Sequence, residues 1–378
     1  MLNSTRAAFL TCSAITLFLA VTATYAEVPA PLAPLPAVSI PSDQPLTPKK
    51  VELGKLLFFD ARLSGDGGIS CADCHEPKKG WGDGNDLSRG YPGTQHWRNS
   101  QSILNTAFLK NWFWTGSAAT LEKQAEGAMT GAVAGNLIPL MAVERVKQIP
   151  VYVNMFKDVF NAAPTYETIL QAIVAFERTI VSKNVPFDNY MKGDKKALTS
   201  KAIQGKILFE GKAGCIQCHN GALLTDQQLY NIGVPKNSVF EKDPLRQITM
   251  RERMRKSGVP EEVVLGLDRD PGRYIDTKKD EDKGKFKTPP LRELIYTAPY
   301  MHNGVFLTLS EVVDFYDKGG DEDPFGTKSQ KIKKLGLAAE EKSALVFFLE
   351  SLSGDEVLVP RPKLPPYGVL PLPMKGGW

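Results

Sequence analysis

An excess of charge of one sign is missing from this chain of 378 residues: the formal net charge is +4 and it is spread out, which argues for no nucleic-acid partner. Compositional bias is missing too. An apolar fraction of 42% with 23% charged residues excludes a disordered or fibrous protein and leaves a soluble globular one, long enough for two ordinary domains. Alternating strand patterns are scarce, so the fold class is mainly α. The apolar run from Ala8 to Val21 is too short to anchor comfortably in a membrane. With Arg6 before it and "TATYA" after it, the segment 1–26 reads instead as a signal peptide cleaved after Ala26, which places the chain in a periplasm and off the membrane once cleaved. Cys12 lies inside that segment without the small residues that a lipoprotein signal places before its cysteine.

Histidine and cysteine are rarer still, with four and five copies. Yet "SCADCHEP" and "GCIQCHNG" place Cys71, Cys74 and His75, and again Cys215, Cys218 and His219, at one spacing. Once the leader is gone, every cysteine lies in these windows. Cys-x-x-Cys-His is the attachment motif of c-type haem: two thiols one helical turn apart reach the two vinyl groups of a porphyrin, and the adjacent histidine falls under the iron. A thioredoxin-like redox pair has no need of the histidine, and zinc wants four ligands converging from paired motifs. The windows therefore imply two covalent haem c groups. The second axial position of each iron decides between electron transfer and chemistry. His96, His302, nine methionines and eleven tyrosines are all candidates by composition.

Residues 27–47 read as a proline-rich extended arm. Thr47 and Pro48 start a first helix through "KKVELGKLLFFDARL". Ile169, Ile173, Phe176 and Ile180 recur at helical spacing over 166–182. "SKAIQGKILFEGKAG", capped by Ser200, leads into the second window, and "TLSEVVDFYD" and "AAEEKSALVFFLESL" are further amphipathic helices. This is a coarse repeat of two similar units, 48–195 and 196–355, with a boundary near 184–200. The charged stretch 236–285 is expected to be a solvated insertion with one short helix, and 356–378 a second proline-rich tail.

The segments "LGKLLFFDARLSGDGGISCADCH", "RNSQSILNTAF", "FWTGSAATLEKQA", "FEGKAGCIQCHNG", "FKTPPLRELIYTAPYMHNG" and "TLSEVVDFYDKGG" together resemble the bacterial di-haem cytochrome c peroxidase family, including its MauG-like members, over about residues 50–352. The resemblance implies two cytochrome c-like haem domains packed against each other, the N-terminal one peroxidatic and the C-terminal one receiving electrons. It implies hydrogen peroxide as substrate and, as partner, a small periplasmic donor (cytochrome c or cupredoxin) or a protein substrate. Residue by residue, Trp114 matches the tryptophan between the haems and Gln124 the distal-pocket glutamine. Asn99, Thr297 and Pro299 match positions that hold Ca2+, the last two through backbone carbonyls. Tyr316, fourteen residues after His302, falls where the peroxidases proper have a methionine ligand and MauG-like members a tyrosine.

Two departures accompany the resemblance. The family's distal glutamate corresponds to Ala134, which weakens peroxide turnover unless Gln124, Glu144 or another group substitutes. The family's capping histidine corresponds to Tyr91, with His96 five residues later and expected to make local loop contacts. Two alternatives stand beside the peroxidase: a MauG-like oxidase of tyrosine or tryptophan in a partner protein, suggested by Tyr316, and a di-haem electron carrier, suggested by Ala134.

Overall fold

The structure is a computed structural model, and it describes residues 28–92 and 94–368. The signal peptide read over 1–26 and the tail's residues 369–378 lie outside the described residues. The described chain is mainly helical. Its one small sheet pairs Leu229–Tyr230 with Phe286–Lys287 in antiparallel register. No helix among the described residues is long and apolar enough to cross a membrane.

The first helix, Pro48–Phe58, starts where the sequence signals it: Thr47 accepts the Lys50 N–H at 3.2 Å, and proline at the first position gives up an N–H that has no helical partner there. It ends at Phe58, and Asp60 then caps a short turn, Ala61–Leu63. Leu53, Leu57 and Phe58 are buried against Ile169, Ile173 and Phe176 of the helix Tyr166–Glu177. That helix stops short of residue 182 because Thr179 folds its hydroxyl back onto the Phe176 carbonyl at 2.7 Å. Gly54 makes the crossing possible: a Cβ there would lie 1.8 Å from the Ala172 carbonyl oxygen.

The second unit repeats the device. Ser200–Glu210 crosses Ala339–Glu350 at Gly205, where a Cβ would lie 1.9 Å from the Ala344 carbonyl oxygen. Its cap is Thr199 rather than Ser200; the Thr199 hydroxyl accepts the Ala202 N–H at 3.1 Å. Phe348 packs edge-on against Phe209 at 5.1 Å, as Phe176 packs against Phe58 at 5.3 Å. Two apolar clusters result, one built on residues 53–180 and one on residues 185–352.

One expectation needs correction. The stretch 236–285 is not a solvated loop with one helix. It forms helices Ser238–Lys242, Pro244–Lys256, Glu261–Gly266 and Tyr274–Thr277 around a third cluster. Met250 and Met254 are fully buried there, one helical turn apart, against Leu87 and Trp97 of the first unit. The described part of the tail is a strap: Val357, Val359 and Leu364 pack on the first cluster, and the Trp81 indole donates to the Val357 carbonyl at 2.7 Å. The arm does the reverse, burying Leu32 in the second cluster while Arg292 donates to the Ala33 carbonyl at 3.2 Å.

Candidate functional site

Each Cys-x-x-Cys-His window is a short helical turn that ends on its histidine. In the first, Ser70 caps the helix Cys71–Cys74 and donates both its N–H and its hydroxyl to the Asp73 carboxylate at 2.7 Å. The His75 N–H returns to the Cys71 carbonyl at 2.9 Å. Its ring Nδ1 lies 3.0 Å from the Trp81 carbonyl oxygen. A carbonyl can only accept, so Nδ1 carries the proton and Nε2 keeps its lone pair for a metal.

The second window has no side-chain cap but reproduces the histidine geometry. The turn Cys215–Gln217 follows Gly214 (φ 64°), the His219 N–H meets the Cys215 carbonyl at 2.9 Å, and its Nδ1 lies 3.0 Å from the Leu224 carbonyl. Both acceptors are buried apolar residues in the left-handed region, Trp81 at φ 60° and Leu224 at φ 54°. Burial lowers the pKa of both rings, which keeps them neutral and able to ligate.

The four thiols stay unpaired. Burial pushes Cys74 up to about 11 and Cys215 up to about 12, and raises Cys71 and Cys218 as well. A redox dithiol needs a depressed thiol, and none is present here. No group of three or more His, Cys, Asp or Glu side chains among the described residues converges on a metal position. Neutral paired thiols beside a histidine with a free Nε2 are the donor set a covalently attached haem requires, and the residues fit that group at both windows.

A cavity of about 310 Å³ opens beside the second window, and Cys215, Cys218, His219 and Tyr316 all line it. Tyr316 is carried by the helix Leu309–Asp317, which Thr308 and Glu311 cap reciprocally. Burial, then the two thiols Cys215 and Cys218, push its phenol pKa upward. Asn99, Trp114, Thr297 and Pro299 line the same cavity. The Trp114 indole donates to the Asn99 carbonyl at 2.9 Å, and the Asn99 N–H donates to the His302 carbonyl at 2.7 Å. The Asn99 amide nitrogen is taken by the Asn85 carbonyl at 2.9 Å, which leaves its side-chain oxygen for another partner. His302 is held between the Phe286 ring, stacked at 3.7 Å, and the edge of Trp114 at 6.4 Å.

On the first unit, Gln124 is half-buried on the helix Leu121–Thr130, and Ala134 follows on the loop after it. Tyr91 joins that loop through its N–H to the Val133 carbonyl at 3.0 Å. His96 is tied locally: its Nδ1 accepts the Arg98 N–H at 3.0 Å and its ring stacks on Trp97 at 4.5 Å. Burial, then the Arg98 charge, push His96 down to about 4.

Glu144 does not reach this pocket; its side chain is 62% exposed and pairs with Lys147 at 3.0 Å. Sequence reasoning missed the buried Glu177, whose carboxyl burial raises to about 8 and which bears on Cys71. An acidic residue inside the otherwise apolar face Ile169–Phe176 was the available signal. It also missed Asp270, which receives the Trp97 indole at 3.1 Å and Arg98 Nη2 at 2.9 Å, and which nothing in the sequence connects to residues 97 and 98.

A family model described as di-haem cytochrome c peroxidase matches residues 48–196. The cytochrome-c peroxidase IdrP1 of Pseudomonas sp. (strain SCT) is 51% identical over 359 residues, 93% of this chain and 94% of that protein. The methylamine utilization protein MauG of Methylorubrum extorquens is 34% identical over 331 residues, 87% of this chain and 85% of that protein. Among solved structures, a MauG-like protein associated with microbial copper homeostasis superposes with a TM-score of 0.73 at 29% identity, over 86% of this chain and 96% of that one.

Proposed function

The chain belongs to the di-haem cytochrome c peroxidase family of oxidoreductases, and from that premise we propose that it is an exported periplasmic enzyme that reduces hydrogen peroxide with electrons from a small redox protein, a cytochrome c or a cupredoxin. The family implies two haem cofactors. Bound at the two windows, haem supplies the iron chemistry of peroxide cleavage and electron storage, while the protein sets ligands and access.

Cys71 and Cys74 form the thioethers of one site, Cys215 and Cys218 those of the other. His75 and His219 present Nε2, and the Nδ1–H bonds to Trp81 and Leu224 fix ring orientation and tautomer. Tyr316, which lines the same cavity as His219, would offer its phenol oxygen to that metal, and an anionic oxygen ligand would favour its higher oxidation states. Trp114, pinned by Asn99, carries electrons between the two sites. Gln124 orients peroxide by hydrogen bonds but cannot exchange a net proton. Ala134 supplies no carboxylate where general acid–base help is commonly worth ~100- to 10,000-fold. The Asn99 side-chain oxygen and the Thr297 and Pro299 carbonyls, hard oxygen donors, would hold Ca2+.

The repeated histidine geometry carries this reading. A pyridine haemochrome assay with intact mass on matured protein is expected to give two c-type haems per chain; one haem or none would contradict it. A second reading, a MauG-like oxidase of tyrosine or tryptophan in a partner protein, is favoured by Tyr316, which lines the same cavity as His219. A peroxide-dependent mass change in a co-purified partner would select it.

A further inference from the structure

Lys287, in the short strand Phe286–Lys287, is 1% exposed, and its Nζ has no hydrogen-bond partner among the described residues. Burial alone pushes its pKa down to about 8, so at neutral pH it still carries a charge. A buried charge with nothing opposite it is costly, and such groups are normally paired. Other cations in the wall of the same cavity have partners: Arg292 holds Asp188 at 2.8 Å, and Lys331 holds the Tyr230 hydroxyl at 2.8 Å. Lys287 has none.

Its position says what would complete it. The Lys287 N–H donates to the Trp114 carbonyl at 2.7 Å, which fixes this residue to the tryptophan end of the cavity that His219, Cys215 and Tyr316 also line. A porphyrin tied to the protein by its vinyl edge sends its two carboxylates, on the other edge, into the space away from the thioethers. We propose that the Lys287 ammonium is the counter-ion of a propionate of the haem attached at Cys215 and Cys218. The assignment rests on haem attachment at that window, as read above. Lys287 is then a positioning residue: it holds the porphyrin edge near Trp114, and its positive charge favours the reduced state of that haem.

The test is spectroelectrochemical titration of the holoprotein, wild type against Lys287→Met, Lys287→Gln and Lys287→Arg, with thermal melts alongside. Removal of the charge in the Met and Gln variants is expected to lower the reduction potential of the His219 haem, leave that of the His75 haem in place, and lower the melting temperature. Lys287→Arg restores most of the potential. An unchanged His219 potential, with a melting temperature that rises in Lys287→Met, would show an ammonium with no anion and overturn the proposal. A shift confined to the His75 haem would overturn it equally. Haem content, assayed separately, distinguishes this failure from that of the functional reading: a wild-type chain with no haem on Cys215 and Cys218 removes both.

Discussion

Tyr316 and Ala134 are single positions at which this chain departs from a peroxidase with a methionine ligand and a distal glutamate. Tyr316 shares a cavity with His219. Tyr316→Phe is therefore expected to change the low-spin absorption and EPR spectrum of the His219 haem while the His75 haem keeps its own. An unchanged spectrum would move the ligand elsewhere. Ala134 sits on a loop that Tyr91 braces from the other side. Supplying the missing acid, Ala134→Glu, should raise the rate of peroxide consumption at least tenfold, read by stopped flow. The two Cys-x-x-Cys-His windows were legible in the sequence, because covalent haem attachment demands fixed residues at fixed spacing, whereas Tyr316 and Ala134 are singled out only by the family resemblance. What was not legible is the second contact of each histidine: nothing in the residue types of Trp81 or Leu224 announces that a backbone carbonyl will be the acceptor.

At the scale of elements, the paired helices were legible from periodicity and caps, and the Gly54 and Gly205 crossings show why each pair needs a residue without a side chain. The insertion 236–285 was not. Its buried face is a narrow stripe, Met250 and Met254 among arginines, and the surface it covers, Leu87 and Trp97, lies far upstream in sequence. This insertion clamps the segment that bears His96 through Asp270 and Arg246.

The clamp has a pH signature. His96 has a folded pKa of about 4 against an ordinary 6.5, so between those values the unfolded chain binds a proton that the folded chain does not. Stability therefore falls as pH drops through that window, by at most about 1.4 kcal/mol per pH unit from this group. Asp270, whose carboxyl Arg98 holds below its ordinary 3.8, adds its loss only at lower pH, as the folded form protonates. Between pH 7 and 4 Glu177, raised to about 8, opposes this loss and His302, lowered to about 4, adds to it. The His96 share is therefore read from melting curves as the difference in slope between wild type and His96→Asn, whose amide oxygen can accept the Arg98 N–H. An equal slope in the variant would assign the loss to other groups.

Over the whole molecule, the two terminal extensions are exchanged: the arm packs on the second cluster and the strap on the first. Proline content made both legible as extended, but not as attached, since Leu32 and Leu364 are lone apolar residues beside prolines and Val357 and Val359 belong to a run of three. Truncation after Asp355 uncovers the face under Val357, Val359 and Leu364 and removes the acceptor of the buried Trp81 indole. The first unit should then melt roughly 5–10 °C lower while the second is little changed, as seen by differential scanning calorimetry. A single undisplaced transition would show that the strap contributes no stability.

The central claim concerns chemistry rather than architecture, and two haems alone would serve an electron carrier equally well. Hydrogen peroxide added to the purified di-haem protein, followed by optical and EPR spectra of both haems, tests it most directly. The account predicts that the His75 haem is high-spin and open at rest, because Tyr91 replaces the capping histidine and His96 is tied to Arg98. It predicts further that peroxide oxidises the two haems together and that a reduced donor returns two electrons for each peroxide consumed. Two low-spin haems whose spectra do not change with peroxide, in either the oxidised or the half-reduced protein, would contradict it.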